Sequence, residues 1–524
     1  AVVIGAGHNG LVAANRLADA GWSVVVLEAE AEPGGAVRTA ELTVPGFRHD
    51  LFSAFYPLGV ASPALRSLRL EDHGLRWRRA ALAQAHPTPD GRCVALSTDL
   101  DETAASLDTY APGDGDAWRR LYGRWEEAGS ALLDALFRPF PPVVGALGLA
   151  RRLGLADGLR TARLGLLSVR RLWEEEFTGE GAAVLLGGNA LHSDIGPEAA
   201  GSALFGWLLA SLGQQVGFPV PEGGAGQLTA ALVRRLESRG GQVVCGTPVT
   251  AVVVRRGRAV AVRTGGAGAG DVTARRAVLA DVGAPALYRH LVGAEHLPPR
   301  LLDDLGRFEY DPPTVKVDWA LSGPVPWTAE PARGAGVVHV ADSLDELTRF
   351  MADLATGTVP ERPFVLFGQQ TVADPTRAPA GGHTGWAYAH VPRRSAATLD
   401  ADAFADRMED RVERLAPGFR ALVLGRHVMS PSGLEARNAN LVGGSLNGGT
   451  AQLHQQLVFR PTPGLGRPTT PVKGLFLASS SAHPGGGVHG ACGANAAHAA
   501  LASGVRRLVS AGVSRLERRS LRGG

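Results

Sequence analysis

The chain opens on Ala1-Val-Val-Ile4, turns through Gly5-Ala6-Gly7-His8-Asn9-Gly10, and then carries Leu11, Ala14 and Leu17 at helical spacing up to Gly21. An apolar strand, a glycine turn and a helix in that order restrict the fold more than any other feature of the sequence. The first glycine permits a tight turn, the second lets backbone approach a pyrophosphate, and the third allows helix and strand to pack closely. Backbone N–H groups and the dipole at the helix start favour phosphate. The spacing predicts a helix from about Leu11 to Ala20, stopped by Gly21. A second strand, Ser23 to Leu27, follows by a right-handed crossover and is therefore parallel to the first. Glu28 and Ala29 end that strand, where the Glu28 carboxylate can accept both hydroxyls of an adenosine ribose.

NAD and FAD both use such a unit, so the discriminating signal lies beyond it. Pro33-Gly34-Gly35-Ala-Val-Arg38-Thr39 adds a second glycine pair after the ribose acid. That pattern resembles FAD proteins of the glutathione-reductase and amine-oxidase lineage; the alternative is a plain turn with an exposed Arg38. Near the other end, Gly474 to Ser481 reads as a buried strand running into Ala482-His-Pro-Gly-Gly-Gly487-Val488-His489-Gly-Ala-Cys-Gly493 and an alanine-rich helix. Bare N–H groups at a second helix start can stabilise the electron-rich end of a reduced flavin ring.

Between these ends the pattern changes twice. Ser106 to Leu136 and Val143 to Trp173 carry apolar residues at helical spacing, interrupted by Pro139, Pro141 and Pro142. Strand signals return at Gln242 to Cys245, Val249 to Val254, Ala259 to Arg263 and Ala277 to Ala280, and again at Thr314 to Leu321, Pro363 to Gln369 and Gly385 to His390, with a helix near Ala403 to Leu415. A chain of 524 residues calls for two or three structural units. The net charge of +3, spread among mixed acids and bases, leaves no nucleic-acid footprint. Cys93, Cys245 and Cys492 form no C-x-x-C pair, which argues against a redox disulfide and against a metal site. Sparse cysteine, a start directly on the strand and the lack of a long apolar run set the expectation of a cytoplasmic location, with membrane association open.

The run His483-Pro-Gly-Gly-Gly487-Val-His-Gly-Ala-Cys-Gly493-Ala-Asn-Ala-Ala is similar to the C-terminal signature of phytoene desaturase-like flavoproteins, closest to the branch of pyridine nucleotide-disulfide oxidoreductase domain-containing proteins in the flavin amine oxidase superfamily. Gly34 to Phe47, Pro219 to Leu228, Asn447-Gly-Gly449 and Arg460-Pro461 carry the same resemblance, which spans nearly the whole chain. It implies an α/β fold: a Rossmann-like FAD-binding domain of the glutathione-reductase/amine-oxidase type (residues 1–70, 214–290 and 455–524), an α+β substrate domain (71–97 and 291–454) and a helical insertion or lid (98–213). The resemblance also implies that FAD is the cofactor, with Gly5, Ala6, Gly7, His8, Asn9, Gly10, Glu28, Ala29, Gly34, Gly35, Arg38, Ser480, Gly487, Val488 and His489 around it and the backbone of Val249 beside the adenine. Ser480 and Ser481 stand where many relatives place a glycine-aspartate pair. The implied reaction is removal of a hydride from a largely apolar, isoprenoid- or polyketide-like substrate, with oxygen, a quinone or another acceptor reoxidising the flavin. An amine oxidase and a non-catalytic flavin-binding scaffold are the alternatives.

Two catalytic candidates emerge. All basic residues except Lys316 and Lys473 are arginine, so a lysine inside the strand Thr314 to Ser322 stands out as a compact, deprotonatable ammonium. The segment is similar to one in flavin amine oxidases whose lysine holds a water near flavin N5; the alternative is an exposed strand lysine. His489 is either a base or substrate contact, or a histidine that caps backbone, while Cys492 reads as packing. Asp50, Phe52, Phe55 and Tyr56 either shape the flavin pocket or belong to the core. The arginines of residues 143–173 suggest either peripheral membrane contact or a surface helix packed on its own domain.

Overall fold

The computed structural model describes residues 1–139 and 158–503. Five short parallel strands form one sheet in the order Gln242–Val244, Val25–Leu27, Val2–Ile4, Val278–Ala280, Leu475–Leu477. Successive side chains alternate faces. Val3, Val26, Leu279 and Phe476 pack with the helices His8–Asp19 and Gly226–Ser238, whereas Val2, Ile4, Leu27, Val278 and Leu475 pack with Val252, Val262 and Tyr288 on the other side. An antiparallel three-stranded sheet, Val249–Arg255, Arg258–Thr264 and Gly270–Thr273, covers that second face. The fold is thus α/β, built on a doubly covered parallel sheet.

The first helix starts at His8, three residues before the predicted start, because the glycine turn itself supplies its first turn. Gly5 takes φ +89°, the left-handed value that makes the tight turn possible. Gly21 has φ +74° and stops the helix as expected.

A seven-stranded sheet stands at the other end, ordered Val423–Met429, Thr314–Leu321, His383–His390, Val365–Gly368, Ala335–Val340, Leu82–Pro87, Cys93–Leu96. Its strands are antiparallel except for the pair joining Ala335–Val340 to Leu82–Pro87. Val315, Val317, Trp319 and Leu321 point under the helix Ala401–Leu415, meeting Phe404, Met408 and Val412. Lys316 and Asp318 therefore share the opposite face with their cross-strand partners Tyr388 and Trp386.

Helices Leu100–Asp108, Asp114–Phe137, Val169–Glu176, Glu180–Leu191 and Ser202–Val216 pack over that opposite face through one apolar core that includes Leu366 and Trp386. Glu180–Leu191 and Ser202–Val216 are buried along most of their length, consistent with sequences apolar nearly all round. The stretch predicted as continuous from Ser106 is broken between Asp108 and Asp114, where Pro112 precedes Gly113 at φ +95°. Residues 143–157 of the basic stretch lie outside the described residues. In its remainder, Arg163 pairs with Glu175, Arg170 with Glu198 and Asp345, and Arg171 with Glu175. Among the described residues no helix is long and apolar enough to cross a membrane.

Candidate functional site

The carboxyl ends of the parallel strands Val2–Ile4 and Val278–Ala280, the helix start at His8 and the turn before residue 491 surround one end of a cavity of about 350 Å³. That position, outside the strand ends of an open α/β sheet, is where such sheets bind ligands. Gly7, His8, Asn9, Gly35, Ser480, Gly487, Val488 and His489 line it. Gly5, Ala6, Gly10, Glu28, Ala29, Gly34, Arg38, Val249 and Lys316 do not.

Close approach explains the glycines. A Cβ on Gly10 would lie 2.2 Å from the Gly5 carbonyl oxygen, and one on Gly7 would lie 2.6 Å from Asp281 Oδ2. His8 and Asn9, at the helix start, have no acceptor four residues back in the helix, so their N–H groups are free for an anion. Glu28 Oε2 accepts from the Ala6 N–H at 2.6 Å and Oε1 from the Glu30 N–H at 3.0 Å, which fixes the carboxylate at the strand end. Lone pairs remain for a ribose.

The distant C-terminal turn is bound directly to this N-terminal unit. A Cβ on Gly493 would sit 1.9 Å from the Asn9 carbonyl oxygen, and one on Gly490 would sit 2.8 Å from Val12. The helix that starts at residue 491 can cross the first helix only because both contacts are glycine. Behind the turn, the buried Arg460 guanidinium donates to the carbonyls of Ser480 at 2.7 Å, Thr450 at 2.8 Å and Asn447 at 3.0 Å. Burial pushes it down to about 10, so it stays charged at neutral pH.

Asp281 is the residue sequence reasoning missed here. It ends the neighbouring strand as Glu28 ends its own, and its Oδ2 accepts from the Gly10 N–H at 2.8 Å. Burial pushes this carboxyl up to about 7. An acid directly after the strand Val278–Ala280 was the available signal.

Two catalytic expectations change. His489 lies in the cavity wall, 5.0 Å ring to ring from Phe137, but both its nitrogens are committed: Nδ1 accepts from the Ala491 N–H at 3.0 Å, and Nε2 therefore donates to the Gly486 carbonyl at 3.2 Å. Burial pushes it down to about 3. The ring fixes its own turn and has no free nitrogen to act as a base. Lys316 faces the correct side of its sheet, opposite Tyr388, yet its ammonium is buried against the Asp318 carboxylate and lies 6.0 Å from the Trp386 ring. Trp386 and Tyr388 line the cavity; Lys316 stands behind them. Desolvation lowers the lysine and pushes Asp318 up to about 6.

Cys492 is buried, with Sγ against the Ala482 and Gly485 carbonyls, and burial pushes its thiol up to about 12, as a packing residue requires. Arg38 donates to the Gly35 and Arg437 carbonyls at 3.1 and 2.7 Å and so ties the second glycine pair to the end of the helix Pro431–Arg437. Asp50 is held by the fully buried Arg377 at 3.0 Å, a structural ion pair outside the cavity. Phe52, Phe55 and Tyr56 do line it.

Away from the glycine turns the wall is largely apolar: Leu136, Phe137, Phe205, Leu208, Leu209, Phe218 and Leu366, from two helices, a loop and a strand. Among the described lining residues Asp281 is the one acid, and no lysine or arginine is present.

The model of the flavin containing amine oxidoreductase family matches residues 10–500. Pyridine nucleotide-disulfide oxidoreductase domain-containing protein 2 of Rattus norvegicus is 29% identical, covering 95% of this chain and 92% of its own. The lycopene-forming phytoene desaturase of Pseudescherichia vulneris is 25% identical over 95% of this chain and 98% of its own. A solved oxidoreductase from Methanosarcina mazei superposes with a TM-score of 0.63 at 17% identity, covering 95% of this chain and 99% of that one.

Proposed function

We propose that this chain, which belongs to the flavin containing amine oxidoreductase family and is an FAD-dependent oxidoreductase, dehydrogenates or desaturates a largely apolar small molecule. The observation that carries this reading is the single cavity that joins the glycine turns to an uncharged, mostly apolar wall. An apolar pocket with a few placed polar groups binds a ligand of matching character. A desaturase among the relatives supports the same direction.

The residues fit FAD. The Gly5–Gly10 turn and the start of the first helix would hold the pyrophosphate, Glu28 the adenosine ribose, Val249 the adenine edge, Ser480 the ribityl region, and the Gly487-Val488-His489 turn the ring. When bound, the flavin supplies hydride acceptance. The protein's share is positional: the apolar wall orients the substrate and excludes water, and the Arg460 charge behind the turn favours added negative charge in front of it. His489 keeps that turn rigid through two backbone hydrogen bonds.

An amine substrate is disfavoured by the wall. An alkylammonium is best held by a carboxylate, and the one carboxylate among the described lining residues, Asp281, lies against the Gly5–Gly10 turn, where its Oδ2 accepts from the Gly10 N–H, and not on the apolar wall. The test is anaerobic mixing of the flavin-loaded protein with a panel of isoprenoids, polyketide-like compounds and amines, following loss of visible flavin absorption. Bleaching by an isoprenoid or polyketide supports the reading; bleaching by amines alone overturns it, and no bleaching by any compound favours a binding scaffold. Oxygen and quinones, tested against the reduced protein, identify the acceptor. Contact of residues 143–173 with a membrane belongs to the same proposal and is tested by flotation with anionic liposomes, where no binding removes it.

A further inference from the structure

Three histidines, half-buried His192 and the buried His86 and His339, stand together at the apolar end of the cavity. His192 follows the helix Glu180–Leu191 and lines the cavity; His339 lies on the strand Ala335–Val340; His86 lies on the neighbouring strand Leu82–Pro87. His192 Nε2 and His339 Nε2 are 2.8 Å apart, and the His339 and His86 rings meet edge to face at 4.4 Å. The packing leaves room for this pair: a Cβ on Gly188, one helical turn before His192, would lie 2.3 Å from His339 Nδ1.

The cluster is under-satisfied. His339 Nδ1 and His86 Nε2 are buried without a hydrogen-bond partner, although the residues are only 1% and 2% exposed. The adjacent buried amides behave differently: Gln84 and Asn189 satisfy each other through reciprocal bonds of 3.0 and 2.8 Å. Burial pushes His192 and His86 down to about 3 and His339 well below its ordinary value, so the imidazoles are neutral. Buried polar groups left unpaired are costly.

His192 carries the exposed end of this cluster. Its Nε2 is engaged by His339, which leaves Nδ1, on the other side of the ring, as its second polar atom. The ring lies in the cavity wall beside Phe218, 5.9 Å centre to centre. We propose that His192 determines specificity by presenting Nδ1 to a hydroxyl group on an otherwise apolar substrate, with His339 as the residue that positions it. A hydroxyl fits because it both donates and accepts, and so pairs with Nδ1 in whichever tautomer the His192–His339 bond selects. A carboxylate accepts only, and brings a charge that this uncharged wall does not balance. The inference rests on the cavity being the site of an apolar substrate.

The experiment measures binding to the flavin-loaded protein, using perturbation of the visible flavin spectrum by octane and by 1-octanol. In His192→Leu, 1-octanol affinity falls about fivefold to tenfold, the loss of one hydrogen bond to a buried group, while octane affinity stays within about threefold. His192→Gln, which keeps a donor and an acceptor at the position, retains most of the 1-octanol affinity and guards against misfolding of the leucine variant. Equal loss for both probes in His192→Leu, or no loss for 1-octanol, overturns the hydroxyl assignment while leaving the apolar site intact. Failure of both probes to bind the unaltered protein removes the apolar reading and this inference with it.

Discussion

The cavity has two walls built in opposite ways. At the parallel sheet the wall is mostly backbone: Gly7, Gly35 and Gly487 bring main chain to the surface, and neighbouring glycines touch other backbone so closely that a Cβ would collide. At the seven-stranded sheet the wall is side chain, supplied by Phe205, Leu208, Leu209, Phe218, Leu366 and Trp386 from separate elements. A backbone wall admits few residue types, because its shape depends on atoms that cannot rotate away. An apolar wall admits many, because volume and hydrophobicity are its main requirements. Substitution should therefore disable the two walls in different measurable quantities, cofactor retention on one side and substrate binding on the other.

Gly493→Val is expected to have the largest effect. Its Cβ would meet the Asn9 carbonyl at 1.9 Å, a backbone contact that can yield only by separating the two helices. A loss of more than ~3 kcal/mol in unfolding free energy and purification without yellow flavin are expected. A flavin-loaded variant with an unchanged melting curve would break the backbone account.

Glu28→Ala comes next. Removing a charged acceptor of a ribose hydroxyl and of the Ala6 and Glu30 N–H groups should weaken FAD binding about 10- to 100-fold, corresponding to ~1.5–3 kcal/mol. Equilibrium dialysis of the cofactor measures it, and unchanged retention would count against the ribose assignment.

Phe205→Ala sharpens the contrast from the other side. The flavin-to-protein ratio should remain that of the unaltered protein while octane affinity falls about fivefold, since truncation removes apolar contact from the wall. Flavin loss in this variant would show that the walls are not separable.

Lys316→Met should affect kinetics least. With its ammonium behind Trp386 and Tyr388, flavin reduction and reoxidation rates are expected within about threefold of the unaltered protein. The effect should appear in stability. Asp318 titrates at about 6 when folded, above its ordinary value of 3.8, so the folded state holds the proton more tightly and stability falls as pH rises through that interval. Lys316 is what lowers Asp318, and its removal moves the folded value higher. The variant should therefore keep losing stability toward neutral pH, by up to ~1.4 kcal/mol per pH unit for this one group. Denaturant unfolding between pH 5 and 8 tests this, and a large rate loss would return the lysine to the cavity.

The contrast also explains what could be read from the chain. The Gly5–Gly10 turn, Glu28 and the Gly485–Gly493 turn stood out in the sequence because the role expected of each demands one or two residue types at a fixed local spacing. Asp281 was less visible, since a single acid after a strand has many uses. Lys316 stood out by rarity, but strand alternation fixed only its face, and a packed carboxylate two residues away captured the ammonium. His489 lines the cavity, while its freedom to act was decided by two local backbone groups. His192 carried no motif at all. It became a candidate only when a helix end, two strands and Gly188 met in space.

The sequence by itself determined the cofactor class, the parallel βαβ start and the pairing of two glycine-rich turns some 480 residues apart, because backbone recognition of a dinucleotide leaves a short-range signature. Tertiary structure alone decided which side chains line the cavity. A long-range apolar wall can be assembled from any residues of suitable volume, and the polarity of its few hydrogen-bonding points depends on partners that only folding brings together.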